Sequence, residues 1–137
     1  MLTRAELIGF LRRSKLAVVA TVAPGELPQA AVVGFAVSDD LELVFDTLTT
    51  TRKFGNLATN PHVAAVVGWD EATAQLEGIA DVPTGPELDR LKAVYFAVYP
   101  DGRDREQWAN ITWVRVRITW ARLSDFAKDP PRIEELA

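Results

Sequence analysis

Residues 46–53 read Asp-Thr-Leu-Thr-Thr-Thr-Arg-Lys, and this stretch holds the strongest anion-binding pattern in the chain. Threonine hydroxyls and two adjacent cations follow an apolar run, at the point where a strand would give way to a helix. A helix start presents unpaired backbone N–H groups and the positive end of the helix dipole. Arg52 adds a planar fork suited to phosphate oxygens, and Lys53 a compact point charge. The same pattern also describes a solvent-exposed Arg-Lys pair on a capped helix.

Other chemistry-bearing residues are sparser. Asp70 and Glu71 are adjacent carboxylates that read as solvated loop charges, because neighbours on a turn seldom converge on one proton. His62 is the only histidine, and a lone histidine after a proline reads as structural or surface. Arg115 and Arg117 share one face of a strand, so they either bracket an anion or form a solvent-facing stripe. Trp69, Trp108, Trp113 and Trp120 suit core packing or a dimer interface better than a ring-binding box. No glycine-rich dinucleotide fingerprint or P-loop occurs.

Composition narrows the choice. The chain has 137 residues, 48% hydrophobic and 25% charged, with a net charge of −4 and no cysteine. That length and apolar content fit one domain with its own core. Thiol chemistry is excluded, and a triad or polyhistidine metal centre has too few histidines, so no metal site is expected. Residues 1–68 carry six basic and six acidic groups, whereas residues 69–137 carry nine and thirteen. No broad basic face exists for nucleic acid. Arg4, Glu6, Arg12 and Arg13 interrupt any signal-like run, and no stretch is apolar enough to span a membrane. A cytoplasmic protein is the expectation.

The elements that must position these residues follow from periodicity. Residues 3–14 read as a helix, with Thr3 and Glu6 at capping-box spacing and Leu7, Phe10 and Leu11 on one face. Residues 16–22, 29–37 and 41–47 read as three strands of an antiparallel meander, joined by turn-forming segments. In the third, Leu41, Leu43 and Phe45 alternate with Glu42, Val44 and Asp46, so one buried face is expected. Residues 49–59 form a short helix stopped by Asn60-Pro61. Strands at 63–69 and 73–82, a helix at 86–98, a polar loop at 100–106 and a long strand at 111–123 complete the reading. In that last strand Val114, Val116, Ile118 and Trp120 should face one way, opposite Arg115 and Arg117. Six strands with few helices fit a small barrel, mainly β with flanking helices (α+β).

Across residues 43–69 the sequence resembles the pyridoxamine 5′-phosphate oxidase-like family of flavin-binding split β-barrels. The resemblance rests on Leu43-Val44-Phe45-Asp46-Thr47, Thr51-Arg52-Lys53, Asn60-Pro61-His62-Val63 and Trp69, in the family's order and spacing. A weaker likeness adds Ala20-Thr21-Val22, the Gly-Glu-Leu-Pro turn at 25–28, and Glu77-Gly78. It implies a single split-barrel domain over residues 1–137, a six-stranded antiparallel barrel, and a homodimer with FMN in a groove between subunits. By motif position Arg52 and Lys53 would hold the phosphate, with Thr51 at the helix start. Thr47 and Asp46 would line the ribityl chain or ring edge. Residues 31–35, centred on Val33, would approach the isoalloxazine with backbone atoms.

Departures from the family pattern sharpen the expectation. Oxidases acting on pyridoxamine phosphate carry Arg and Lys where this chain has Ala31 and Ala36. Their flavin-contacting Gln falls on Thr73, with Gln75 near enough to substitute after a register change. Their carboxy-terminal Arg-x-His-x-Arg motif is missing from 129–134, which reads Asp-Pro-Pro-Arg-Ile-Glu. The resemblance therefore implies an FMN-dependent oxidoreductase other than pyridoxamine phosphate oxidase. The deazaflavin F420 is the alternative cofactor, and a non-enzymatic flavin- or small-ligand-binding dimer the alternative role.

Overall fold

The computed structural model describes residues 1–136. The order is α1 (Arg4–Arg12), β1 (Leu16–Ala23), β2 (Leu27–Gly34), β3 (Ala36–Val37), β4 (Glu42–Leu48), α2 (Arg52–Thr59), β5 (His62–Val67), β6 (Ala72–Asp81), α3 (Gly85–Val98), α4 (Gly102–Arg105), β7 (Ile111–Asp125) and β8 (Arg132–Glu135). The capping box forms: Thr3 Oγ1 accepts from the Glu6 N–H at 3.1 Å, and the Glu6 carboxylate accepts from the Thr3 N–H at 3.0 Å. Leu7, Ile8 and Leu11 then bury the inner face of α1.

All ladders between the strands are antiparallel, in the spatial order β2-β1-β5-β6-β7-β4-β3, with β8 beside β7. The two ends of that order, β2 and β3, are consecutive in the chain and separated only by Phe35. The sheet thus closes on itself through a bend in one strand, and no ladder joins β2 to β4. This is a split barrel, and β2 keeps one edge free beside the split. Counting β2 and β3 as one bent strand recovers the six expected, with β8 as an addition from the tail.

Inward side chains follow the two-residue period. Ala17 and Val19, Leu43 and Phe45, Val63 and Ala65, and Leu76 fill the interior. Val33 also points into this core, at 7% exposure. Deleting a buried Leu or Phe here would cost about 2–5 kcal/mol, since such cores collapse only partly around a cavity.

Three expectations are corrected. β4 is buried on both faces, because α3 covers its outer side: Ala36, Val44 and Trp113 pack against Leu91, Tyr95 and Phe96. The polar loop at 100–106 contains the short helix α4. In β7 the alternation changes phase. Glu77 lies opposite Trp120 but Gly78 lies opposite Ile118, leaving Thr119 as a bulge. A Cβ on Gly78 would sit 2.5 Å from the Arg117 carbonyl oxygen, so the bulge requires glycine there. Beyond it Ala121 and Leu123 become the core residues, and Trp120 turns out of the interior, half-buried.

Candidate functional site

The groove that could hold an anion lies where the barrel is split. Leu48 ends β4, and the chain turns through Thr49–Thr51 into α2. Thr51 is the N-cap. Its hydroxyl donates to the Leu48 carbonyl at 2.9 Å and accepts from the Phe54 N–H at 3.4 Å. With its proton committed, it accepts from the Thr47 hydroxyl at 3.1 Å. Both threonine hydroxyls therefore build the turn. The Arg52 and Lys53 N–H groups remain as unpaired first-turn donors among the described residues.

Val19, Thr21, Gln29, Ala30, Ala31, Thr50, Thr51, Arg52 and Lys53 line a groove of about 400 Å³. Arg52 is exposed and Lys53 half-buried. Among the described residues no carboxylate oxygen lies within salt-bridge distance of either. The far wall is the free edge of β2. The volume falls within the range of ordinary cofactor pockets. Two unmatched cations, free helix N–H groups and an open strand edge fit a phosphate-bearing ligand.

The remaining sequence candidates divide. Thr51, Arg52 and Lys53 share the groove, and Ala31 lines it; Val33 is not among the lining residues, and its side chain is in the core. Thr47 is buried beneath the turn. Ala36 faces away from the groove, against α3, so of the two alanine departures only position 31 bears on it. Asp46 is not brought to the groove. Its carboxylate accepts from Arg105 Nε at 2.7 Å and from the Tyr95 hydroxyl at 3.1 Å, tying β4 to α3 and α4. Burial, reinforced by the Asp46 charge, raises the Tyr95 phenol above its ordinary value. Thr73 and Gln75 sit on the outer side of β6, alternating with the inward Ala74 and Leu76.

Arg115 and Arg117 do not form the expected solvent-facing stripe. Arg115 is 5% exposed. Its guanidinium donates to both oxygens of Asp81, to Glu42 at 3.2 Å and to Glu87 at 2.8 Å. Burial alone would raise the Glu42 carboxyl, but hydrogen bonds from Arg90, Ser38 and Arg115 outweigh it and hold it low. The hydrogen bond from Arg115 holds Asp81 low as well. Arg117 is exposed at the rim, 3.6 Å from Asp81. His62 is exposed at the start of β5, its N–H donated to Asn60 Oδ1. Among the described residues no group of three or more His, Asp or Glu is arranged to hold a metal, and no helix is long and apolar enough to cross a membrane.

Gln29 of the groove and Asn56 behind it escaped the sequence reading. Asn56, buried on α2, donates through Nδ2 to Thr21 Oγ1 and to Gln29 Oε1, each at 2.9 Å. This bracket docks α2 onto β1 and β2. The available signal was polarity on an inward face: Gln29 shares its side of β2 with Ala31 and Val33.

Comparison with known proteins agrees with this architecture. The family model for pyridoxamine 5′-phosphate oxidase matches residues 3–125. A pyridoxine/pyridoxamine 5′-phosphate oxidase of Burkholderia vietnamiensis is 35% identical over 94 residues, covering 67% of this chain. The match spans only 42% of that relative's length. A heme-binding protein of Mycobacterium smegmatis superposes with a TM-score of 0.83 at 19% identity, covering 98% of this chain and 58% of that one. A pyridoxamine 5′-phosphate oxidase-related, FMN-binding protein of Nostoc punctiforme gives 0.71 at 14% identity, covering 94% and 85%. With the split barrel in place and most of the chain matched, the protein belongs to the pyridoxamine 5′-phosphate oxidase-like family.

Proposed function

We propose that this chain is an FMN-dependent oxidoreductase acting as a homodimer, and not a pyridoxamine phosphate oxidase. The observation that carries the reading is the Arg52–Lys53 pair, unmatched by any nearby carboxylate among the described residues and set at the N-terminus of α2 over a groove of about 400 Å³. The FMN-binding protein of Nostoc punctiforme supports the choice of cofactor. Bound there, FMN would supply hydride chemistry that no side chain of the groove possesses. The chain's part is to hold the phosphate through Arg52, Lys53 and the first N–H groups of α2. The free edge of β2 and Ala31 leave room for a planar ring beside the strand. The lack of a cation at position 31 argues against pyridoxamine phosphate as substrate.

The dimer reading rests on the outer face of the sheet. Val18, Ala20 and Val22 of β1 lie between Val32, Ala30 and Pro28 of β2 on one side and Val66 and Ala64 of β5 on the other. Val32 is 60% exposed, and these positions carry no charge. A second copy covering this uncharged face would remove it from water, and a two-fold arrangement pairs the patch with itself. Thr73 and Gln75, on the outer face two strands away, would flank that boundary.

The test is the absorbance of protein purified from its native host, followed by titration of the ligand-free form. A flavin spectrum and saturable FMN binding support the reading. A deazaflavin spectrum replaces FMN by F420 at the same groove. A Soret band with added hemin, lost in His62→Ala, would assign the chain to heme instead, in line with the Mycobacterium smegmatis neighbour. A protein that takes up none of the three is a barrel without a redox cofactor.

A further inference from the structure

We propose that Gln29 contacts the ligand of this groove, presenting an N–H donor to an acceptor oxygen of the bound molecule, and that Asn56 is the positioning residue that aims it. The inference rests on the FMN reading of the same groove. A primary amide has one accepting and one donating end. Asn56 Nδ2 spends its two protons on Thr21 Oγ1 and Gln29 Oε1, so the accepting end of Gln29 is taken. The donating end, Nε2, has no partner among the described residues, and Gln29 lines the groove together with Arg52 and Lys53.

Asn56 is itself 6% exposed, which makes the bracket rigid and lets it fix which end of Gln29 faces the ligand. The site thereby selects acceptor oxygens, such as phosphate, ribityl or ring carbonyl oxygens, over N–H or O–H groups lacking a lone pair in reach. It also supplies a neutral donor two residues from Ala31, where a cation is missing. A neutral donor orients an acceptor without the desolvation cost of a second buried charge.

FMN dissociation constants of wild type, Gln29→Met, Gln29→Glu, Asn56→Asp and the Gln29→Met/Asn56→Asp double variant test this. Gln29→Met should weaken FMN roughly 5- to 10-fold, the value of one neutral hydrogen bond. Gln29→Glu keeps an acceptor for Asn56 but turns an anionic oxygen toward the ligand, and should weaken binding by about 30-fold or more. Asn56→Asp demands a donor from Gln29, flips its amide and turns Oε1 into the groove, costing about 5- to 10-fold. In the Gln29→Met background Asn56→Asp should cost nothing further, because it acts through Gln29.

An equal penalty in both backgrounds would make Asn56 merely structural and overturn its positioning role. Wild-type affinity in both Gln29 variants, with Arg52→Ala/Lys53→Ala still impaired, would overturn the Gln29 contact while leaving the phosphate site standing. Failure of wild type to bind FMN would remove both.

Discussion

Two cation clusters flank β4, one beside its first residues and one just past its end, and the chain treats them oppositely. At the start, Arg115 and Arg90 are matched by Glu42, Asp81 and Glu87. Just beyond the end, Arg52 and Lys53 face a groove with no carboxylate in reach among the described residues. The first arrangement is a closed circuit: each guanidinium is held by carboxylates of the molecule itself. The second is open, and an anion from outside would complete it. An arginine is thus informative about function according to what the fold leaves unpaired around it, more than by its presence in a motif.

The largest effect should come from breaking the closed circuit. Arg115→Met leaves Asp81 without its main partner and strips buried Glu42 of one of its two arginines, and breaking a buried ion pair costs up to about 3–5 kcal/mol. Calorimetry should show a melting temperature lower by on the order of 10 °C, with FMN affinity unchanged where the variant is folded. Arg52→Ala/Lys53→Ala should do the reverse, leaving stability within about 0.5 kcal/mol, as for other exposed substitutions.

The closed circuit also predicts a pH dependence. Glu42, Asp81 and Glu87 are held below their ordinary values. A carboxyl whose folded pKa is depressed stabilises the fold above its unfolded value, and that contribution is lost as pH falls through the folded one. Thermal stability should therefore be flat from neutrality to about pH 5 and decline through the acid range below the ordinary carboxyl values. The decline should be shallower in Arg115→Met. An unchanged acid limb in that variant would dissociate the circuit from acid sensitivity.

Smaller effects sharpen the boundary between the regions. Asp46→Asn weakens the tie to Arg105, and should cost on the order of 1–2 kcal/mol in stability with at most a few-fold change in FMN affinity. An affinity loss exceeding the stability loss would return Asp46 to the site. Thr51→Ala removes the cap of α2 and should cost about 1 kcal/mol, read by chemical denaturation.

Local patterns carried much of this into the sequence. Thr3 and Glu6 announced the first helix, the threonine run and Asn60-Pro61 bounded α2, and alternation located the strands. What local patterns could not show was pairing at a distance. Arg115 and Asp81 are 34 positions apart, and Arg105 reaches Asp46 across 59, so a buried ion pair looked like a surface stripe. The phase change at Thr119 was hidden because a bulge is set by the facing strand, where Gly78 admits it. Burial of both faces of β4 depended on where α3 docks. Arg52 and Lys53 were legible because the site there is local: strand end, cap and cations adjoin in sequence. Gln29 and Asn56 were not, because their meaning lies in a contact between β2 and α2.

Titration of FMN into ligand-free wild type and Arg52→Ala/Lys53→Ala tests the central claim most directly. Two charge-assisted hydrogen bonds contribute roughly 1.5–3 kcal/mol each, so the double variant should bind at least about 100-fold more weakly. Saturating FMN, at about 100 times its dissociation constant, should stabilise wild type by about 2.7 kcal/mol and the variant scarcely at all at the same concentration. Equal affinity in the two proteins would contradict the assignment of the phosphate to this groove.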